Sequence, residues 1–454
     1  MTVPVLGRGG FGDFVARART AGELVVQPRM GFSDPVDMRA GLQAVKAAGA
    51  TTVGTLTLDS YTRVGDLRNA EKALSDGVRL NGYPIVNYDE ATTRAVLAGV
   101  RGTDFPVQVR HGSAVPLDIF AALMRAGIDA TEGGPVSYCL PYGRTPLDES
   151  VRNWTRCCEL FVWLREFGME PHLETFGGCM MGQLCPPSQL VAISALEALF
   201  FYRFGIRSIS ASYAQQTNME QDREAVAALR RLCAELLPAA QWHVVIYGYM
   251  GVYPASDEGA YALLGRSAEL AVASGSERLI VKTVAEARRI PTIEENVSAL
   301  EFAAGVAHDT DPADYPAVDQ DSQVYAEARA LVDAVLDLDD DLGRALLLAF
   351  KRGYLDIPYC LHPDNMGSAR SYIDDDGRLR WAELGSLPLG SVVDKVSPRK
   401  VASADLLTAL SYVRHTYDDA ALEHAAARTI SGTEHVLPRK QHERHGIART
   451  RRGR

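Results

Sequence analysis

Apolar residues in this chain gather in eight short runs rich in β-formers, at 24–27, 51–56, 106–110, 128–132, 170–174, 206–211, 243–247 and 279–282. Each run ends near a polar or glycine-rich loop, and most are followed by a stretch in which apolar positions recur every three to four residues. The first pattern is that of a buried strand, the second that of an amphipathic helix. Helices are accordingly predicted at 35–48, 116–126, 149–167, 188–204, 222–237, 257–273 and 293–307. Strand–helix alternation of this kind predicts a parallel α/β fold. Eight rounds of it favour a closed (β/α)8 TIM barrel over an open, doubly wound sheet.

The alternation stops near Ala307. An acidic link at 309–320 follows, then helical spacing from 324 to about 353, a hairpin at 371–381 and a last helix at 404–415. These breaks divide the chain into an N-terminal arm with a first helix (1–21), the barrel (22–320), a C-terminal α+β extension (321–438) and a basic tail (439–454). The tail has almost no apolar residues, so disorder is expected there ahead of a binding arm.

Composition narrows the setting. The 454 residues are 47% hydrophobic and 23% charged, with a net charge of −10, which argues against nucleic acid or an anionic membrane surface as partner. No apolar run approaches the ~20 residues that span a bilayer, and the N-terminus lacks a signal-peptide layout. Seven cysteines, an odd number that includes the vicinal Cys157 and Cys158, suggest reduced thiols in a cytoplasmic protein. Cys179 and Cys185 have no Cys or His partner at metal-ligand spacing, so no metal site is expected.

Two glycine motifs invite misreading. Gly7, Gly9 and Gly12 imitate a dinucleotide-binding turn, but Pro4 interrupts the strand before it and the next strand ends in Gln27–Pro28 instead of an acidic ribose ligand. A glycine-rich arm leading into a helix is the better account. Asp374–Gly377 with Glu383 imitates part of a calcium loop, yet Tyr372 stands at the first ligand position. An Asp-Gly hairpin turn fits instead.

Charged residues fall at the ends of the predicted strands. Arg29 follows the first, Arg63 lies beyond the second, Arg110 closes the third, Glu132 the fourth, Glu174 the fifth and Lys282 the eighth, with Glu286 just after; Tyr138 and Tyr142 follow Glu132. A barrel brings these ends together at its C-terminal mouth, where such barrels carry out chemistry. Arginines match carboxylates with paired donors, and acidic residues suit an ammonium group. A ligand with two carboxylates and one amine fits the set, which points to an acidic amino acid. There is no Ser/Cys–His nucleophile and no phosphate loop, so an external cofactor must carry any difficult chemistry. A hydrolase or lyase using Glu132 and Glu174 as acid and base is the alternative that needs none, and a non-catalytic binder of acidic amino acids is another.

Several blocks of sequence, QPRMG, YTR, LNGYPIVNY, VRHG, EGGPVSYCLPY, MGVYP and VKTVAEARRIPT, resemble in order and spacing the large (epsilon) subunit of glutamate mutase, or methylaspartate mutase, from about Gly22 to Leu389. The resemblance implies an isomerase that converts L-glutamate to (2S,3S)-3-methylaspartate by radical rearrangement, with adenosylcobalamin (coenzyme B12) as cofactor; a close glutamate analogue is the other substrate considered. It implies that Arg29, Arg63 and Arg110 grip the substrate carboxylates and that His111, Tyr138 and Tyr142 also contact the substrate. Glu132 would hold the amine and exchange a proton with it. Gly31, Asn81, Pro141, Tyr253, Lys282, Glu286 and Ile290 would contact the cofactor, with Tyr253 replacing the phenylalanine expected there. The chain has no Asp-x-His-x-x-Gly cobalt-binding motif. The resemblance therefore implies a separate small (sigma) cobalamin-binding subunit, with two large subunits in a heterotetramer.

Overall fold

In the computed structural model, which describes residues 9–141, 143–393 and 401–431, all eight expected strands form. They are β1 (Val25–Pro28), β2 (Gly54–Thr57), β3 (Val107–Arg110), β4 (Ala130–Glu132), β5 (His172–Glu174), β6 (Ser208–Ala214), β7 (Gln241–Tyr247) and β8 (Arg278–Val281). They pair in parallel, in the order β1-β8-β7-β6-β5-β4-β3-β2. A single bridge, Val26 to Thr52, spans the seam between β1 and β2, so the barrel is nearly closed.

The helices obey the predicted spacing with small shifts. A first helix, α1 (Phe11–Thr20), precedes the barrel, and α2 (Pro35–Lys46) follows β1. Between β2 and β3 lie three helices that the apolar pattern did not predict: α3 (Ser60–Arg63), α4 (Leu67–Ser75) and α5 (Glu90–Leu97). Each starts on an aspartate that caps it, Asp59, Asp66 and Asp89, and a capped start is a signal independent of apolar spacing. The outer layer continues with α6 (Leu117–Arg125), α7 (Leu147–Val162), α8 (Pro187–Arg203), α9 (Met219–Leu236), α10 (Asp257–Ala273) and α11 (Ile293–Asp309). The span expected as one helix at 149–167 changes to a 3-10 turn at Trp163–Phe167.

The extension comprises α12 (Gln323–Leu336), α13 (Leu342–Arg352), a hairpin of β9 (Arg370–Ile373) and β10 (Leu379–Glu383), and then α14 (Ser403–Leu410) and α15 (Tyr412–Ser431). The Asp374–Gly377 turn joins the hairpin, as expected, with the Gly377 N–H on the Asp374 carbonyl at 3.0 Å. The extension has a clear reason to pack on the barrel. Helix α8 is buried along almost its whole length, and a helix apolar all round needs cover on every side. Strand β6, α9 and α12 supply it. The basic tail and Tyr142 lie outside the described residues.

Helix α1 closes the N-terminal end of the barrel. Phe11, Val15 and Ala18 pack with Val25, Val53 and Ala130, and the Phe11 ring stacks on His172 with centroids 4.7 Å apart. The Arg278 guanidinium sits over the same ring at 4.9 Å. A Cβ on Gly12 would fall 2.3 Å from Ser208 Oγ. This glycine therefore serves close packing of the helix on the barrel floor, which agrees with an arm leading into a helix.

The interior above that floor is polar, where barrels of this kind are usually filled by branched apolar side chains. Arg278 is fully buried and bonds Glu174, Gln27 and Ser210. Gln27 reaches Gln108 at 2.7 Å, and Gln108 reaches Glu174 Oε2 at 3.0 Å. His172 and His243 flank Ser210 at 2.7 and 2.9 Å, and burial followed by the Arg278 charge pushes both imidazole pKa values far down, so both rings are neutral. Buried polar groups are tolerable when each finds a partner, and this network connects the barrel floor to its mouth.

Candidate active site

Alternation along a strand puts residues two apart on one face. Gln108 faces inward, so Arg110 does as well. The same holds for His172 and Glu174, and for Arg278 and the first position after β8, Lys282. The strand-end charges thus become the roof of the polar interior.

Arg110 and Glu132 form the centre. Arg110 Nη2 lies 3.0 Å from Glu132 Oε2, and both side chains are buried, 4% and 2% exposed. The Arg110 guanidinium also stacks over Tyr247 at 4.9 Å and Phe176 at 5.8 Å. Burial disfavours its charge, yet Glu132 and the nearby phenols hold its pKa above the ordinary value. Arg110 Nη1 is buried and has no hydrogen-bond acceptor among the described residues. A buried guanidinium N–H left unpaired is costly, and an anionic ligand would satisfy it.

Glu132 accepts a hydrogen bond from Tyr138 and shares a second, at 2.8 Å, with the Tyr247 hydroxyl. Burial pushes its pKa up, Arg110 opposes the rise and the Glu174 carboxylate adds to it. The loop after β4 must turn sharply to bring Tyr138 back onto Glu132, and Gly133 and Gly134 permit this. Gly133 has φ +131°, and a Cβ there would fall 2.6 Å from the Trp154 ring; one on Gly134 would fall 2.1 Å from the Glu197 carboxylate. Glu197 pins the loop by accepting the Val136 and Ser137 N–H groups, each at 2.9 Å. Burial raises the Glu197 pKa to about 7.

His111 sits beside this centre among aromatic rings, 5.2 Å from Tyr138 and 5.8 Å from Trp154 between centroids. Its Nδ1 accepts the Ser113 N–H at 3.0 Å, which leaves the ring proton on Nε2. Burial lowers its pKa to about 3, so it is neutral.

A second cluster lies beyond β8 and β1. Glu286 Oε2 receives Arg29 Nη1 at 2.8 Å and Lys282 Nζ at 3.4 Å. Lys282 stands over the Tyr253 ring at 4.6 Å. Burial lowers its pKa, Glu286 works against that and Arg29 adds to it. Arg63 is exposed on the rim, with Cδ 2.8 Å from where a Cβ on Gly112 would be, so it lies over the turn that follows Arg110 and His111.

The remaining expected residues lie on mouth loops. Asn81 is exposed and accepts the Ser60 N–H at 2.9 Å, Pro141 is half-buried, and Ile290 is 54% exposed. A Cβ on Gly31 would fall 2.1 Å from the Thr57 carbonyl, so packing of the loop after β1 against the end of β2 already requires this glycine. Two residues of the central site were absent from the sequence-based set. Tyr247 closes β7, and Arg278 shares the inward face of Lys282 at the start of β8. Both could have been found by extending the strand-end and alternation rules to a tyrosine and to strand starts.

As a whole, the arrangement can take a carboxylate on Arg110, an ammonium on Glu132 and further anionic or hydroxyl groups near Arg29, Lys282 and Glu286.

The Methylaspartate mutase E chain family model matches residues 7–405. The glutamate mutase epsilon subunit of Halobacterium salinarum is 31% identical over 394 residues, covering 84% of this chain and 82% of the relative. That of Haloarcula marismortui is 30% identical over 398 residues, covering 85% and 80%, and that of Escherichia coli O157:H7 is 30% identical over 349 residues, covering 73% and 72%. The family match spans the whole barrel and most of the extension, and the chain belongs to the methylaspartate mutase E chain family.

Proposed function

We propose that this chain is the catalytic subunit of a glutamate mutase that rearranges L-glutamate to (2S,3S)-3-methylaspartate. The observation that carries this reading is Arg110: a buried guanidinium with one N–H group unpaired, set against a buried carboxylate that two tyrosines address. That pairing recognises a carboxylate and an ammonium side by side, as an amino acid presents them. Arg29 and Arg63 extend the positive rim toward a second carboxylate. Tyr142 is assigned to the substrate on the family resemblance alone.

In this reading Arg110 fixes one carboxylate with paired donors, and Glu132 accepts from the substrate ammonium. The raised pKa of Glu132 suits it to exchange that proton without leaving its position. Tyr138 and the neutral His111 hold the carboxylate and the substrate in place. Burial of the centre keeps water from reactive intermediates, and tight positioning keeps the reacting carbon in reach of the cofactor.

The mouth fits adenosylcobalamin by the chemistry of its donors and rim. Lys282 and Glu286 suit the hydroxyls of an adenosyl ribose. Gly31, Asn81, Pro141, Tyr253 and Ile290 would meet the corrin, a large ring that needs an uncharged surface beside it. When bound, adenosylcobalamin supplies the carbon-centred radical that abstracts hydrogen. Exposed apolar side chains line the same rim, Val64 at 68% and Val252 at 42% exposure, which supports docking of a small (sigma) subunit carrying Asp-x-His-x-x-Gly. Two large subunits in a heterotetramer complete the proposed assembly. No helix among the described residues is long and apolar enough to cross a membrane. Six described cysteines are buried free thiols, which suits the reducing cytoplasm.

The acid–base alternative is disfavoured because Glu174 is committed to Arg278, Gln108 and Tyr247, with a phenol between it and Glu132 where a substrate would be needed. The test is an assay for 3-methylaspartate from glutamate with adenosylcobalamin and a small cobalamin-binding subunit. Product only with all components present is expected, and product without cobalamin would falsify the reading.

A further inference from the structure

The Tyr247 hydroxyl stands between two carboxylates: its oxygen lies 2.8 Å from Glu132 Oε2 and also contacts Glu174 Oε1. A phenol carries one proton and can donate it once. Two ionised carboxylates facing this hydroxyl would leave one oxygen–oxygen contact with no proton in it, in a place from which water is excluded: Tyr247 and Glu174 are 0% exposed and Glu132 is 1%. An unsatisfied contact of that kind is expensive in low-dielectric surroundings. One additional proton satisfies it.

The geometry says where that proton sits. Glu174 accepts hydrogen bonds from the Arg278 guanidinium and, at 3.0 Å, from the Gln108 amide, so its anion is well stabilised. The Arg110 guanidinium reaches Glu132 through Nη2 alone, at 3.0 Å, and the other Glu132 oxygen has only the neutral Tyr138 phenol, so the Glu132 anion is held less firmly. We infer that Glu132, Tyr247 and Glu174 form one proton-sharing unit, in which Glu132 donates its proton to the Tyr247 oxygen and Tyr247 donates its own to Glu174. If the Glu132 proton passes to the phenol oxygen, the phenol proton passes to Glu174 Oε1. One O–H bond breaks and one forms at each transfer, and the total charge is unchanged. Glu132 is thereby freed to accept a proton from a bound ligand, and the reverse movement returns it. Tyr247 and Glu174 are positioning residues that act through Glu132. The other charged or titratable groups around the unit are Arg110 at the end of β3, His111 just after it, Tyr138 after β4 and Arg278 on β8.

The unit itself stands on the geometry; its use against a substrate ammonium rests on the proposed function. Infrared difference spectroscopy of the intact chain in deuterium oxide, without substrate or partner, tests the first part. A carboxylic-acid C=O band should persist above the ordinary glutamate range near ~4.3 and should vanish in Glu132→Gln. Tyr247→Phe keeps the ring and removes the acceptor, so the band should move to higher frequency. Glu174→Gln removes a like charge, so the band should titrate away at lower pH. If Glu132→Gln removes no acid band at any pH where the chain is folded, or Tyr247→Phe leaves the band unmoved, the inference is overturned. Because this readout needs no turnover, a chain that shows the band but makes no 3-methylaspartate would fail the functional reading and keep the unit. In an active assembly, Tyr247→Phe should lower kcat by about 10-fold or more with a small change in KM and a displaced pH profile. Unchanged kcat and pH profile would refute the relay.

Discussion

Arg110 reconciles two requirements that ordinarily conflict, a permanent charge and complete burial. Glu132 and the faces of Tyr247 and Phe176 support the charge from three sides, and only a planar guanidinium can use all three together with a ligand carboxylate. Arg110→Lys keeps the charge and loses the fork and the stacking. Truncating a buried charge-assisted pair costs on the order of 2–5 kcal/mol. The lysine variant belongs near the lower end, about 2 kcal/mol or roughly 30-fold weaker glutamate binding, measured by calorimetry on the assembled protein. Wild-type affinity would make Arg110 a scaffold residue. Glu197 offers a pH test of the same site. Its folded pKa of about 7 lies above the ordinary 4.5, so the folded state binds this proton more tightly than the unfolded chain does. The stability it contributes is full below about 4.5 and lost as pH rises through about 7, on the order of 3 kcal/mol in all. The buried neutral histidines have the opposite dependence, since their pKa values are lowered. The comparison must therefore be wild type against Glu197→Gln, whose stability difference should change over pH 5–7 by that sign. A difference independent of pH would mean that Glu197 is ionised throughout. At this scale the sequence displayed Arg110, Glu132, Glu174 and Lys282 because charge at a strand end stands out. Tyr247 was hidden because a tyrosine ending an apolar strand looks like core, and Arg278 because only the fold shows that a strand start faces inward.

Among the elements, α1 shows how a local pattern acquires meaning from its neighbours. As sequence, its glycines imitate a nucleotide loop; in the fold, Gly12 lets the helix rest on Ser208 and Gln241, and Phe11 plugs the barrel between His172 and Arg278. Gly12→Ala inserts a methyl group into that contact. Overpacking of a tight site costs about 1–3 kcal/mol, so a lower midpoint in urea unfolding is expected, while glutamate affinity at the far end stays unchanged. A stability equal to wild type would show that α1 is loosely attached. The eight strands and seven helices read from apolar residues were legible because the strands are buried at nearly every position and the helices bury at least one continuous face. The helices α3, α4 and α5 were not, since they are short and bury only one to three residues each, and their evidence lies in the caps Asp59, Asp66 and Asp89. The single bridge that closes β1 on β2 was also beyond sequence, because register across a seam is decided by packing around the whole ring.

For the molecule as a whole, the two ends of the barrel differ in what they leave exposed. The floor is sealed by α1, whereas the mouth carries buried charge surrounded by exposed apolar side chains on loops after β2, β7 and β8: Val64, Val252 and Ile290. Scattered apolar residues on a surface are common, but a rim of them around a charged pocket is suited to a partner that closes the pocket and keeps water out. A charge placed in such a rim must be desolvated on assembly, so Val64→Asp and Val252→Asp should each raise the concentration of small subunit needed for half-maximal mutase activity. The expected shift is about 10-fold, or ~1.4 kcal/mol. The control is Trp163→Asp, which alters a side chain that is also exposed, at 67%, but lies just past the C-terminal end of α7, away from the mouth. It should leave that concentration unchanged. Titration of the small subunit against each variant at fixed cofactor and glutamate reads the effect directly, with sedimentation as a check that assembly itself is weakened. Equal shifts in all three variants would point to a general loss of folding, and no shift in the two mouth variants would move the docking surface away from the rim.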